Sequence, residues 1–166
     1  MRRFSAFFIY KQQKEEQTLM TVFIDADGCP VIASATDICR QRQIPLTLVC
    51  DTSHLFTSDY AAVVTVDKGS DSADLAIANM VSSGDIVITQ DYGLAAMCLA
   101  KKCICLSQNG FIYDSTNIDS LLMSRHIAKK VRRSGGRLKG PHKRTAQQDE
   151  DFAAKFIEIL NNTERR

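Results

Sequence analysis

The stretch "TVFIDADGCPV", Thr21 to Val31, decides how the rest of the chain is read. Thr21–Ile24 has the β-branched and aromatic run of a short buried strand. Two aspartates follow with one residue between them, then a glycine, a cysteine and a proline. Pro30 suits the first turn of a helix, because its missing N–H would have no partner there. Val31, Ile32, Ala35, Ile38 and Cys39 then recur at helical spacing up to about Arg42. A buried strand that turns through carboxylates into a helix is the opening unit of an α/β protein.

Working outward, the same alternation repeats. "LTLVC" (46–50) reads as a second strand, Asp51–Tyr60 as a polar loop and "AAVVTV" (61–66) as a third strand. Helical spacing returns at Ala73, Ile77, Met80 and Val81. "DIVIT" (85–89) is a fourth strand, "YGLAAMCLAKK" (92–102) a helix and "CICLS" (103–107) a fifth strand. Asn109-Gly110 is a strong short hairpin signal, so "FIY" (111–113) folds back beside the fifth strand. A helix from about Thr116 to Arg133, a glycine-rich break and a helix with Phe152, Phe156, Ile159 and Leu160 on one face complete the chain. The pattern predicts a three-layer α/β/α sandwich with a mostly parallel sheet of about five strands, a terminal hairpin strand and C-terminal helices. Residues 20–160 form the expected single domain, residues 161–166 a tail, and residues 1–19 an upstream-start extension or loosely ordered arm.

The 166 residues are 45% hydrophobic and 24% charged, ordinary for a soluble globular protein. No apolar run approaches the length that spans a bilayer, and no cleavage site follows the apolar patch near the start. No membrane association is expected. The six cysteines lack zinc-ligand spacing and read as free thiols of a cytoplasmic protein. Oligomeric state stays open, with a homodimer as one option.

Acidic residues gather where ligands bind in open α/β sheets, outside the C-terminal ends of the strands. Asp25 and Asp27 follow the first strand. Asp71 and Asp74 lie in the loop after the third strand and the next helix's first turn, and Asp91 follows the fourth strand. Such carboxylates repel unless a cation neutralises them. Hard oxygen donors without nearby thiolate or imidazole suit Mg²⁺ or Mn²⁺. At each position a cap or solvated turn is the alternative: Asp71 or Ser70 for one helix, Asp91 for the next. His54, His126 and His142 read as surface residues.

Strand plus D-x-D-G also resembles the first motif of haloacid-dehalogenase-type phosphatases, with Asp25 as nucleophile and Asp27 as acid/base. Cys29 stands where that family has Thr or Val, and Gly84-Asp85 precedes a strand rather than following one.

A closer resemblance is to the YaiI/YqxD family, bacterial proteins with a PIN-like domain and no assigned activity. It rests on "DADGCP" (25–30), "GSDSADLAI" (69–77), "GDIVITQDYGLA" (84–95), Asn109-Gly110, and "GP" followed by "DEDFAAKF" (140–156). Gly28 stands where the family commonly has alanine. The resemblance implies metal-dependent cleavage of single-stranded RNA. Asp25, Asp27, Asp74 and Asp91 would be the catalytic acidic residues, with Asp71 a further ligand or a cap. A fourth PIN acidic position after "CICLSQNG" has no nearer candidate than Asp114. A catalytically silent nucleic-acid-binding module of the same fold is the competing reading.

Between Arg125 and Arg144 stand nine Lys or Arg residues and no Asp or Glu, on a chain with a net charge of only +2. Lys129, Lys130, Arg132, Arg133, Arg137, Lys139, Lys143 and Arg144 are the candidate contacts to single-stranded RNA or another polyanion. The run lacks aromatic residues, which argues against sequence readout. Its alternative is a solvated helix end complementing the helix dipole.

Overall fold

The computed structural model describes residues 20–163 except 55, 70, 137–139 and 141. The N-terminal extension, the last three residues, the Ser70 cap and the polyanion contacts expected at Arg137 and Lys139 lie outside the described residues.

Six strands form one sheet: β1 (Val22–Asp25), β2 (Leu46–Asp51), β3 (Ala62–Val66), β4 (Ile86–Ile88), β5 (Ile104–Leu106) and β6 (Ile112–Tyr113), in the order β3-β2-β1-β4-β5-β6. The first five are mutually parallel and β6 is antiparallel to β5. The chain therefore builds outward from β1 to β3, then returns to the other side of β1 for β4. That reversal makes the β1/β4 boundary the topological switch point, where ligands settle in open α/β sheets.

Alternation along each strand sorts the side chains to two faces. Val22, Ile24, Leu46, Leu48, Ile86 and Ile88 pack on one side against helix α1 (Ile32–Gln41) and the C-terminal helix α5 (Ala146–Thr163). Phe23, Val49, Val87 and Cys105 pack on the other against α2 (Ser72–Met80), α3 (Tyr92–Ala100) and α4 (Ile118–Arg133). This is the expected three-layer arrangement. Phe152, Phe156, Ile159 and Leu160 of α5 are all buried, and Phe152 stacks on Phe156 with ring centroids 5.6 Å apart.

Two boundaries differ from the sequence expectation. Pro30 lies in the turn ahead of α1, whose helical bonding begins at Ile32. The fourth helix begins at Ile118 rather than Thr116, because the Asp114 carboxylate draws the N–H groups of Thr116 (2.8 Å) and Asn117 (3.2 Å) into a turn. Asn109-Gly110 does form the expected reversal. Gly110, at φ +78°, tucks beneath α5, where a Cβ would sit 2.9 Å from the Asp151 carbonyl oxygen.

The six cysteines are free thiols, five buried and Cys29 half-buried against the α1/α5 face. Burial pushes the Cys29 thiol up to about 11, which keeps it protonated and makes it a packing residue. Among the described residues no helix is long and apolar enough to cross a membrane.

Candidate functional site

The site is built at the C-terminal ends of β1 and β4. Asp25 closes β1, level with Val49 of β2, and its carboxylate accepts the Thr89 hydroxyl at 3.0 Å. Thr89, fully buried just after β4, also accepts the Asp91 N–H at 2.9 Å. One hydroxyl thus fastens the two strand ends across the switch point. Burial is the main force raising the proton affinity of Asp25; Thr89 opposes it, and the charges of Asp27 and Asp91 add to it.

Asp91 has two tasks. Its Oδ1 accepts the N–H groups of Gly93 (2.7 Å) and Leu94 (3.1 Å), the cap that starts α3. Its Oδ2 is held by Arg125 of α4, with Nη1 at 2.7 Å. The cap that competed with a site role for this residue is therefore real, and it occupies only one oxygen.

Asp74 stands in the first turn of α2, half-buried. Its carboxyl is pushed up to about 6, by burial first and then by the charges of Asp91, Asp25 and Asp71, with Arg125 working the other way. The charges of Asp91, Asp25 and Asp71 thus all bear on Asp74. Asp71 occupies the N-cap position of α2 without making a side-chain cap. It holds a left-handed backbone, φ +61°, a conformation that aspartate tolerates better than bulkier residues.

Asp27, whose charge bears on Asp25, makes its own contacts with the end of β2 and the loop after it. Its Oδ2 accepts the Asp51 N–H at 2.9 Å, and its Oδ1 lies 3.0 Å from His54 Nδ1 without the alignment of a hydrogen bond. Asp27, Asp51 and His54 form a tight group, with one ligand atom from each all within 4.8 Å. The five expected ligands Asp25, Asp27, Asp71, Asp74 and Asp91 do not meet at that spacing among the described residues; they line the same sheet edge more loosely. Asp51 reaches Asp27 because β2 runs two residues past the level of Asp25. Sequence reasoning places His54 at the surface and passes over Asp51. The signal that could have found them is the parity of β2 and the D-x-x-H spacing of the loop.

Three other residues have structural work. Asp85 is buried and accepts N–H groups from Thr21 (3.0 Å) and Ser82 (2.7 Å), so Gly84-Asp85 ties the starts of β1 and β4 together. Asp114 sits in the turn before α4, where the Thr116 bonds hold its carboxyl below the usual range. The Arg144 guanidinium joins the β5–β6 turn to α5 by donating to the Gln108 carbonyl oxygen (2.7 Å), Asn109 Oδ1 (2.7 Å) and Asp149 Oδ1 (2.6 Å). Lys129, Lys130, Arg132, Arg133 and Lys143 are exposed, the first four on α4.

A six-stranded α/β/α protein with an acidic rim at its switch point is the class that fold and site define. The chain belongs to the YaiI/YqxD family, described as uncharacterised, which it matches over residues 23–162. A UPF0178 protein of Clostridium acetobutylicum is 43% identical over 143 residues, spanning 85% of this chain and 97% of that protein. One from Exiguobacterium sibiricum is 47% identical over 141 residues, 85% and 96% of the two chains. Among solved structures, a single-residue mutant of Rae1 (YacP) of Bacillus subtilis shares 14% identity over 87% of this chain and 99% of its own. Its TM-score of 0.39 is too low to bear on fold or activity.

Proposed function

We propose that the protein is a metal-dependent nuclease acting on single-stranded RNA. The observation that carries this reading is the concentration of Asp25, Asp74 and Asp91 at the β1/β4 switch point. There the charge of Asp91 raises the proton affinity of both Asp25 and Asp74, and that of Asp25 raises Asp74 further. All-carboxylate donors fit Mg²⁺ or Mn²⁺, and the crowding of negative charge is the condition that a cation relieves. Asp25, Asp74 and Asp91 would hold the ion, with Asp71 and Asp27 beside them. When bound, such an ion supplies Lewis acidity that acidifies water and offsets charge on a phosphodiester.

The chain's own residues supply the rest. Thr89 keeps Asp25 and Asp91 at a fixed separation, and the cap on Asp91 Oδ1 aims its second oxygen. Lys129, Lys130, Arg132 and Arg133 present a run of positive charge on α4 for the strand's backbone, and Lys143 adds to it from the segment before α5. Arg144 is engaged by the hairpin and α5. The Asp27–Asp51–His54 group, with its imidazole nitrogen, is a second candidate ligand cluster.

A catalytically silent RNA-binding module is favoured by one observation: Arg125 already neutralises the Asp91 oxygen that a cation would use. Incubation of single-stranded RNA with the protein and Mn²⁺ separates the two readings. The control is Asp25→Asn with Asp91→Asn, which keeps an oxygen for the Thr89 bond and for the cap. The nuclease reading expects cleavage that the double variant loses by at least about 100-fold, the usual scale for losing central transition-state stabilisation. Equal cleavage by both proteins would mean contamination; binding without cleavage supports the silent module.

A further inference from the structure

The two oxygens of Asp91 are not equivalent. Oδ1 accepts from Gly93 and Leu94 and is committed to the start of α3. Oδ2 is the oxygen left for a ligand, and Arg125 Nη1 stands 2.7 Å from it. Arg125 also lowers the proton affinity of Asp74, so its charge is felt by a second member of the cluster. The Arg125 side chain is 52% exposed against 24% for that of Asp91, which puts it on the solvent side of the pair. It lies one helical turn before Lys129, the first lysine of the basic run on α4. Arg125 therefore links the acidic site to the basic helix.

A cation taking Asp91 Oδ2 competes with Arg125 for the same lone pairs. An arginine displaced from a carboxylate has another partner of matching geometry, since its planar fork pairs equally well with two phosphate oxygens. We propose that Arg125 is a substrate-positioning residue that Asp91 holds in reserve. Cation binding at Asp25, Asp74 and Asp91 releases the guanidinium, which then takes a non-bridging phosphate oxygen of a single-stranded RNA lying along α4. The inference rests on the metal-site reading above and adds to it an order: cation first, then strand. Lysine at this position would keep the charge and lose the fork.

The test compares the wild-type protein with Arg125→Gln and Arg125→Lys in two measurements without turnover. In Mn²⁺ titrations followed by the electron spin resonance of the free ion, Arg125→Gln binds Mn²⁺ about threefold tighter, the scale of losing a half-exposed ion pair. In fluorescence anisotropy with a labelled phosphorothioate oligouridylate, Arg125→Gln and wild type bind equally without Mn²⁺. With saturating Mn²⁺ the wild type gains affinity, Arg125→Gln gains about fivefold less, and Arg125→Lys falls between. Unchanged or weaker Mn²⁺ binding by Arg125→Gln overturns the proposal, as does an equal loss of oligonucleotide affinity with and without the ion. A wild-type protein with no Mn²⁺ binding removable by Asp25→Asn ends the metal-site reading and this inference together. Mn²⁺ binding indifferent to Arg125 ends only the latter.

Discussion

Asp74 carries the cost of the acidic rim in a measurable form. A carboxyl raised from 3.8 to about 6 keeps its proton in the folded protein over a range where the unfolded chain has released it. Its contribution to stability is therefore fully present below the unfolded value of 3.8 and is lost as pH rises through about 6. Asp74→Asn removes that loss. In chelator at about pH 7.5 the variant should resist urea better than wild type by roughly 1 kcal/mol, a figure reduced because the group is only half-buried. The advantage should shrink at about pH 5. Added Mn²⁺ should reverse the ranking, stabilising wild type more than the variant, with wild-type affinity rising as pH climbs past about 6. At this scale the sequence was partly legible. Asp25, Asp74 and Asp91 could be picked because each follows a strand or opens a helix, and strand ends are readable from hydrophobic runs. Arg125 and Thr89 could not, since their meaning depends on how α4 and the end of β4 lie beside α3 and β1.

The secondary-structure elements explain why some basic residues differ from their neighbours. Sequence alone gives Arg144 the same standing as Lys143, yet the fold wraps its guanidinium in the β5–β6 turn and the start of α5. Arg144→Ala should cost about 2 kcal/mol, as several charge-assisted hydrogen bonds are lost together, read as a lower urea midpoint with unchanged slope. Gly110→Ala should cost a similar amount at the same junction, since it combines a positive φ with a Cβ pressed on the backbone of α5. Lys129→Ala should leave stability within about 0.5 kcal/mol. The hairpin itself was legible from Asn109-Gly110, because turn chemistry is local. Its docking on α5 was not, because that contact joins Gly110 to Asp151, far along the chain. Pro30 shows the opposite case: proline marks the approach to a helix, but the turn around Gly28, at φ +69°, set where helical bonding began.

Across the whole molecule, the order β3-β2-β1-β4-β5-β6 separates what assembles early from what assembles late. The β1–α1–β2–β3 half pairs neighbouring strands through short crossovers. The β1/β4 boundary closes only when segments 64 residues apart meet, and the Thr89–Asp25 bond spans that same separation. Closing so long a loop is entropically costly and is deferred in folding. The acidic rim should therefore be absent from the folding transition state. A cation held by Asp25, Asp74 and Asp91 would then act as a latch on the finished protein and not as a nucleus for making it. Stopped-flow chevrons with and without Mn²⁺ should show an unfolding limb slowed about tenfold by near-saturating ion and a refolding limb left where it was. A refolding limb that quickens instead would mean that β4 finds β1 before the outer strands are in place. The strand order that locates the site thus also sets its moment: the rim should close after the β1–β2–β3 half and open before it.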